Sequence, residues 1–204
     1  MKQTDPEKLP RRKQFEYVLH WENYPLGLVL YGGSGLGKTR TMWALLRQEC
    51  ELCKSAEFVR GADFQKEVTS RTKPNGSDNF DEWFEELATV DVLFLDDIDK
   101  MRFTQRAEQE FFNLIDVRTS AESPTIISLN STAAELCDEM SPKFGPPLIR
   151  RLGDYFETVN FNPDIDEPVE QTPPAPTAAA VKMLPMSNEI SSKALDGKGL
   201  KFTA

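Results

Sequence analysis

The sequence predicts an α/β fold, a three-layer α/β/α sandwich around a five-stranded parallel sheet, and three observations predict it. A glycine-rich octet, Gly32-Gly33-Ser34-Gly35-Leu36-Gly37-Lys38-Thr39, follows directly on the apolar run Leu28-Val29-Leu30-Tyr31. Apolar runs of strand length then alternate with segments of helix length from Leu26 to Phe161. The third observation is Val90-Asp91-Val92-Leu93-Phe94-Leu95-Asp96-Asp97, an apolar strand that ends on two carboxylates. Apolar strands separated by helices belong to parallel sheets covered on both faces.

Along the chain, the first element is a short helix: Arg11-Arg12-Lys13 leads into Phe15, Tyr17, Val18, Leu19 and Trp21, which predicts an apolar face on the core and a solvated basic end. Strands are expected at Gly27–Tyr31, Glu57–Arg60, Val90–Leu95, Thr125–Leu129 and Tyr155–Asn160. Helices are expected at about 39–53, 62–70, 79–88, 105–119 and 132–139. Arg71–Asp78 and Ser141–Pro147, rich in Pro, Gly, Ser and Lys, read as exposed loops. From Pro163 the chain carries Pro168, Pro173, Pro174, Pro176 and Ala178-Ala179-Ala180 with few large apolar residues, the composition of a disordered tail. The organisation is an N-terminal extension with a short helix (1–25), one folded domain (26–162) and a Pro/Ala-rich tail (163–204).

Composition narrows the function classes. No run approaches the roughly 18 consecutive apolar residues of a membrane span, and the first residues open no signal peptide, so a cytoplasmic protein without membrane contact is expected. Three cysteines argue against a disulfide framework. Cys50-Glu51-Leu52-Cys53 has metal-ligand spacing but ends a helix, away from the context that zinc or redox motifs need, and is read as small apolar core residues. His20, the one histidine, is read as a packing or surface residue. A net charge of −9 disfavours a general nucleic-acid coat, so DNA contact would need a local patch or a groove made by several subunits.

The octet has the chemistry of a phosphate-binding loop. Gly32, Gly33, Ser34, Gly35, Leu36 and Gly37 let backbone N–H groups curl around phosphates, Lys38 places a charge between the β- and γ-phosphates, and Thr39 offers a hydroxyl to Mg²⁺. With Arg40 they form the candidate nucleotide site, and the helix that begins at Thr39 turns its N-terminal dipole toward the phosphates. Asp96 and Asp97 end their strand where ligands sit in open α/β sheets. Asp96 is placed to hold Mg²⁺ with Thr39, and Asp97 to polarise the attacking water. Asn130 ends the strand Thr125–Leu129 and can orient that water, with Ser131 as a helix cap. Arg150 and Arg151 sit on the short apolar helix Leu148–Leu152, from which a guanidinium can project into a neighbour's site.

Together these motifs resemble the DnaC/IstB-type branch of the AAA+ ATPases, P-loop NTPases that include replicative-helicase loaders and transposition ATPases, with DnaA-like initiators as close relatives. The resemblance rests on Gly27–Gly32 leading into the loop, on Val90–Ile98 as a Walker B strand, on Phe112–Arg118 before Ser123–Asn130, and on Ile149–Leu152. It implies ATP and Mg²⁺ as cofactors and ATP hydrolysis with Lys38, Asp97 and Asn130, the last as sensor 1. Arg151 is implied as arginine finger with Arg150 the alternative, and Arg118 as a residue facing a neighbouring subunit. The implied partners are a second copy or another AAA+ ATPase, a replicative helicase or transposase, and DNA. Asp97 departs from the commoner glutamate, which implies slow hydrolysis. No helical lid follows Phe161 and no loader-type domain precedes the first strand, which implies the lidless branch. Two other classes are weighed: a nucleotide-controlled adaptor with negligible hydrolysis, and a small-molecule kinase, which fits less well because paired acids with Asn130 suit activation of water.

Overall fold

The central strands read as unbroken apolar runs because helices cover both of their faces. The computed structural model describes residues 11–22, 26–71 and 80–162. Its strands are β1 (Gly27–Tyr31), β2 (Ala56–Arg60), β3 (Val92–Asp96), β4 (Thr125–Leu129) and β5 (Phe156–Asn160). They form one five-stranded sheet in the order β2-β3-β4-β1-β5, every pair parallel. The helices are α1 (Arg12–Leu19), α2 (Lys38–Glu51), α3 (Gly61–Arg71), α4 (Phe80–Thr89), α5 (Gln105–Ser120), α6 (Ala133–Asp138) and α7 (Gly145–Tyr155). The expected α/β architecture and the five strands are as the sequence predicts.

Alternate residues of each strand feed two cores, as the period of two requires. Leu28 and Leu30 of β1, Val92 and Phe94 of β3 and Ile126 of β4 pack with Val18 and Trp21 of the N-terminal segment and Met42 and Leu45 of α2. Val29, Leu93, Leu95, Ile127 and Leu129 point the other way, onto Phe64, Phe111, Leu114, Ile115 and Leu148 from α3, α5 and α7. The predicted helix at the N-terminus is α1, with Phe15 and Val18 buried and Arg12 exposed. His20 caps it from the surface, its Nδ1 lying 2.7 Å from the Glu16 carbonyl.

Several expectations are corrected. Ser141–Pro147 is not all loop: α7 begins at Gly145 and takes Pro146 and Pro147 into its first turn, where a missing N–H costs no helical hydrogen bond. Thr132, not Ser131, caps α6, in a reciprocal pair with Glu135; the Ser131 hydroxyl has no partner. Cys50 and Cys53 are exposed at the end of α2, because the apolar stripe of that helix runs through Met42 and Leu45; only Cys137 is buried. A 3₁₀ turn at Ile98–Lys100 follows β3. Arg118 faces no neighbouring subunit. It is fully buried, its Nε donating to Thr125 Oγ1 at 2.8 Å and its terminal nitrogens to the carbonyls of Leu87, Ala88, Val90 and Pro124. Burial holds this guanidinium down to about 10. Residues 72–78 of the first expected loop, the tail from 163, and with it the absence of a lid, lie outside the described residues.

Candidate nucleotide site

Strand order dictates what meets at the C-terminal edge of the sheet. The chain lays down β1, crosses to the far edge for β2, and returns through β3 and β4, so β4 ends between β1 and β3. Asn130, the residue after β4, therefore stands between the glycine loop after β1 and the acids that end β3. The register Tyr31↔Leu129 and Leu95↔Ile127 carries all three strand ends to one level.

The loop adopts the backbone that its glycines permit. Gly32, Gly35 and Gly37 have φ of 141°, 80° and 99°, and Gly37 opens α2 directly. At Gly32 a side chain would meet Phe161 Cβ and the Asn162 amide at 3.1 Å. Asn162 Oδ1 in turn accepts the Gly33 amide at 3.0 Å, pinning the loop to the end of β5. Lys38 is 5% exposed, and its Nζ donates to Gly32 O at 2.6 Å, Gly33 O at 2.9 Å and Asn130 Oδ1 at 3.1 Å. Burial lowers its pKa, opposed by the carboxylates of Asp97, Asp99 and Asp96.

The acids are equally fixed. Asp96 is buried; its two oxygens lie 3.0 and 3.1 Å from Thr39 Oγ1, and Ser128 Oγ donates to Oδ1 at 2.5 Å. The same Ser128 oxygen accepts the Asp97 amide at 2.8 Å. Asp97 sits in the left-handed region, φ 53° and ψ 47°, which breaks the strand and turns its carboxylate to the cleft. Oδ1 of that carboxylate accepts from Asn130 Nδ2 at 3.2 Å and Oδ2 from Lys100 Nζ at 2.6 Å. Asp99 holds Asn130 from behind, accepting its backbone N–H at 2.9 Å and its Nδ2 at 3.3 Å.

These groups line one open cleft of about 270 Å³, formed by Ser34, Gly35, Gly37, Lys38, Thr39, Arg40, Asp97, Lys100 and Asn130. The expected loop, Asp97 and Asn130 are thus brought together. Thr39 and Asp96 present hard oxygen donors side by side, a set that suits Mg²⁺, which takes few protein ligands and completes its shell with phosphate and water. The two arginines of α7 do not reach this cleft. Arg151 is anchored to its own chain by Asp116 and lies 5.5 Å from the Phe112 ring centre. Arg150 is exposed and makes no ion pair among the described residues. Sequence reasoning did not assign Ser128, Asp99, Lys100 or Asn162. Ser128 carried one signal, a hydroxyl in an otherwise apolar central strand; the others depend on turns whose shape the sequence does not announce.

Comparison with known proteins agrees with this geometry. The profile of the family described as IstB-like ATP binding protein matches residues 3–141. The chromosomal replication initiator protein DnaA of Oenococcus oeni is 28% identical over 131 residues, 63% of this chain and 26% of the relative. The chain thus spans about a quarter of the length of such curated relatives. Among solved structures, the DnaC helicase loader superposes with a TM-score of 0.57 at 19% identity, covering 72% of this chain and 85% of the other. Replication initiator DnaA bound to AMPPCP and single-stranded DNA gives 0.59 at 20% identity, covering 72% and 44%. At these identities the likeness to the solved structures is one of fold.

Proposed function

This chain belongs to the IstB-like ATP-binding family, and from that premise we propose that it is a slow AAA+ ATPase which uses ATP to switch its assembly with a DNA-replication or DNA-mobility partner. The observation that supports this most is the convergence of Lys38, Thr39, Asp97 and Asn130 on one cleft, with Asp96 buried against Thr39. In this reading the Lys38 ammonium leaves the loop carbonyls of Gly32 and Gly33 for the β- and γ-phosphates. Thr39 and Asp96 would hold Mg²⁺, which would supply charge to offset that of the phosphates. Asp97 accepts the proton of a water that Asn130 orients, and the left-handed turn at Asp97 holds that carboxylate toward the reacting phosphate. Asp is one methylene shorter than Glu, so the base reaches less far and turnover is slow.

Arg150 is the guanidinium free to enter a neighbour's cleft, while Arg151 fastens α7 to α5 through Asp116. Assembly then completes the site, and hydrolysis releases the neighbour. A helicase and single-stranded DNA are the partners that the names of the solved neighbours support, and a transposase is the alternative that the sequence resemblance implies. No described helix is long and apolar enough to cross a membrane.

The test is phosphate release by the purified protein, alone and with DNA, beside Asp97→Asn. Slow release by the parent and none by the variant supports an ATPase. Tight ATP binding without release under any condition supports the adaptor, and a phosphorylated small-molecule product supports the kinase. Capture of partners by Asp97→Asn loaded with ATP separates a helicase from a transposase.

A further inference from the structure

Among the described residues, Lys100 is the one lysine besides Lys38 that lines the cleft. An exposed lysine three residues from an aspartate is ordinarily a surface pair of little consequence. Three features set this one apart. It stands on the 3₁₀ turn immediately after the acids, so its stem starts at the cleft wall. Its ammonium reaches Asp97 Oδ2 at 2.6 Å, the atom that the proposed reaction requires, while Asn130 occupies the other oxygen. The Lys100 side chain is 55% exposed, against 27% for Asp97, so the lysine is the partner free to swing.

The geometry points to Lys100 as a second phosphate-binding lysine, which pairs with Asp97 when the cleft holds a diphosphate and transfers to the γ-phosphate when it holds a triphosphate. This rests on the ATP-binding reading above and deepens it. A γ-phosphate carries more negative charge than one carboxylate, so within the cleft that both lysines line it competes for the ammonium. Transfer leaves Asp97 with Asn130 alone, freed to receive a proton. Lys100 therefore acts through Asp97 as a positioning residue and touches the triphosphate as a binding residue.

The transfer predicts a change in discrimination between ATP and ADP, which a merely structural role would leave alone. Binding of each nucleotide with Mg²⁺ to the full chain is measured by calorimetry for the parent, Lys100→Met and Lys100→Arg. Lys100→Met is expected to weaken ATP roughly tenfold relative to ADP, the loss of one charge-assisted hydrogen bond. Lys100→Arg, which keeps the charge and reach, is expected to hold the parent ratio within about twofold. An unchanged ratio in Lys100→Met, or equal loss in both variants, overturns the assignment. If the parent binds neither nucleotide, or binds ATP equally well as Lys38→Ala, the ATP-binding reading itself has failed and this inference falls with it. Lys100 is exposed, so the variants are expected to melt as the parent does.

Discussion

Ser128 and Asp96 are joined by a 2.5 Å hydrogen bond in which the hydroxyl donates to the carboxylate, and the same hydroxyl accepts the amide of the next aspartate, Asp97. One buried side chain thus sets the orientation of the proposed metal ligand and the start of the turn that carries the proposed base. Ser128→Ala leaves the Asp97 amide and one Asp96 oxygen without this partner inside the protein. The expected cost is about 1–3 kcal/mol of stability by urea unfolding, with lower turnover in the folded fraction.

Gly61 extends control of that turn to α3, a helix that does not line the cleft. A Cβ built on Gly61 would lie 2.6 Å from the Asp97 carbonyl oxygen and 2.9 Å from Ile98 Cα, so the turn would have to move. Gly61→Ala is expected to lower kcat several-fold with ATP affinity near that of the parent, at a stability cost of about 1–3 kcal/mol. Steady-state kinetics separates the two effects.

Arg118 is a buried cation held by neutral oxygens: one hydroxyl and four carbonyls that end α4, lead into β3 and precede β4. Arg118→Met strands those carbonyls and is expected to cost about 3–5 kcal/mol by chemical denaturation. Arg118→Lys recovers little, because an ammonium cannot reproduce the planar fork that reaches the Leu87–Val90 carbonyls and Pro124 together.

The cysteines differ in exposure. Cys137 is buried and its thiol is pushed up to about 11 by burial, so it carries little thiolate near neutral pH, while Cys50 and Cys53 are exposed. Iodoacetamide on the native chain is expected to add two adducts quickly, on Cys50 and Cys53, with Cys137 reacting only on unfolding. Mass spectrometry of the labelled peptides reads this out.

How far these features were legible follows from what carries them. The strands are readable because β1, β3 and β4 are buried on both faces and leave runs such as Leu28–Leu30 and Val92–Leu95 without a polar break; their order in the sheet is not, since no single strand carries it. The glycine loop, Asp96, Asp97 and Asn130 were readable because each lies at a strand end, where strand and motif fix the position together. The start of α7 is hidden in the sequence because Pro146 and Pro147 break a helix interior and yet fit its first turn. Arg118 was assigned outward on resemblance alone; a helix pattern with Leu114 and Ile115 buried beside it gives no sign that a charge belongs on the same face. Lys100 and Asn162 depend on a 3₁₀ turn and on the two residues that follow β5, neither of which has a period to read.

The proposed function requires a triphosphate held between the glycine loop and the ends of β3 and β4. Calorimetric titration of ATP with Mg²⁺ into the parent and into Lys38→Ala, both verified as folded by circular dichroism, tests this most directly. The account predicts saturable one-to-one binding by the parent and a loss of at least about tenfold in Lys38→Ala, which removes the ammonium that Gly32, Gly33 and Asn130 now hold. Equal affinity in the two proteins, or no binding by the parent, would contradict it.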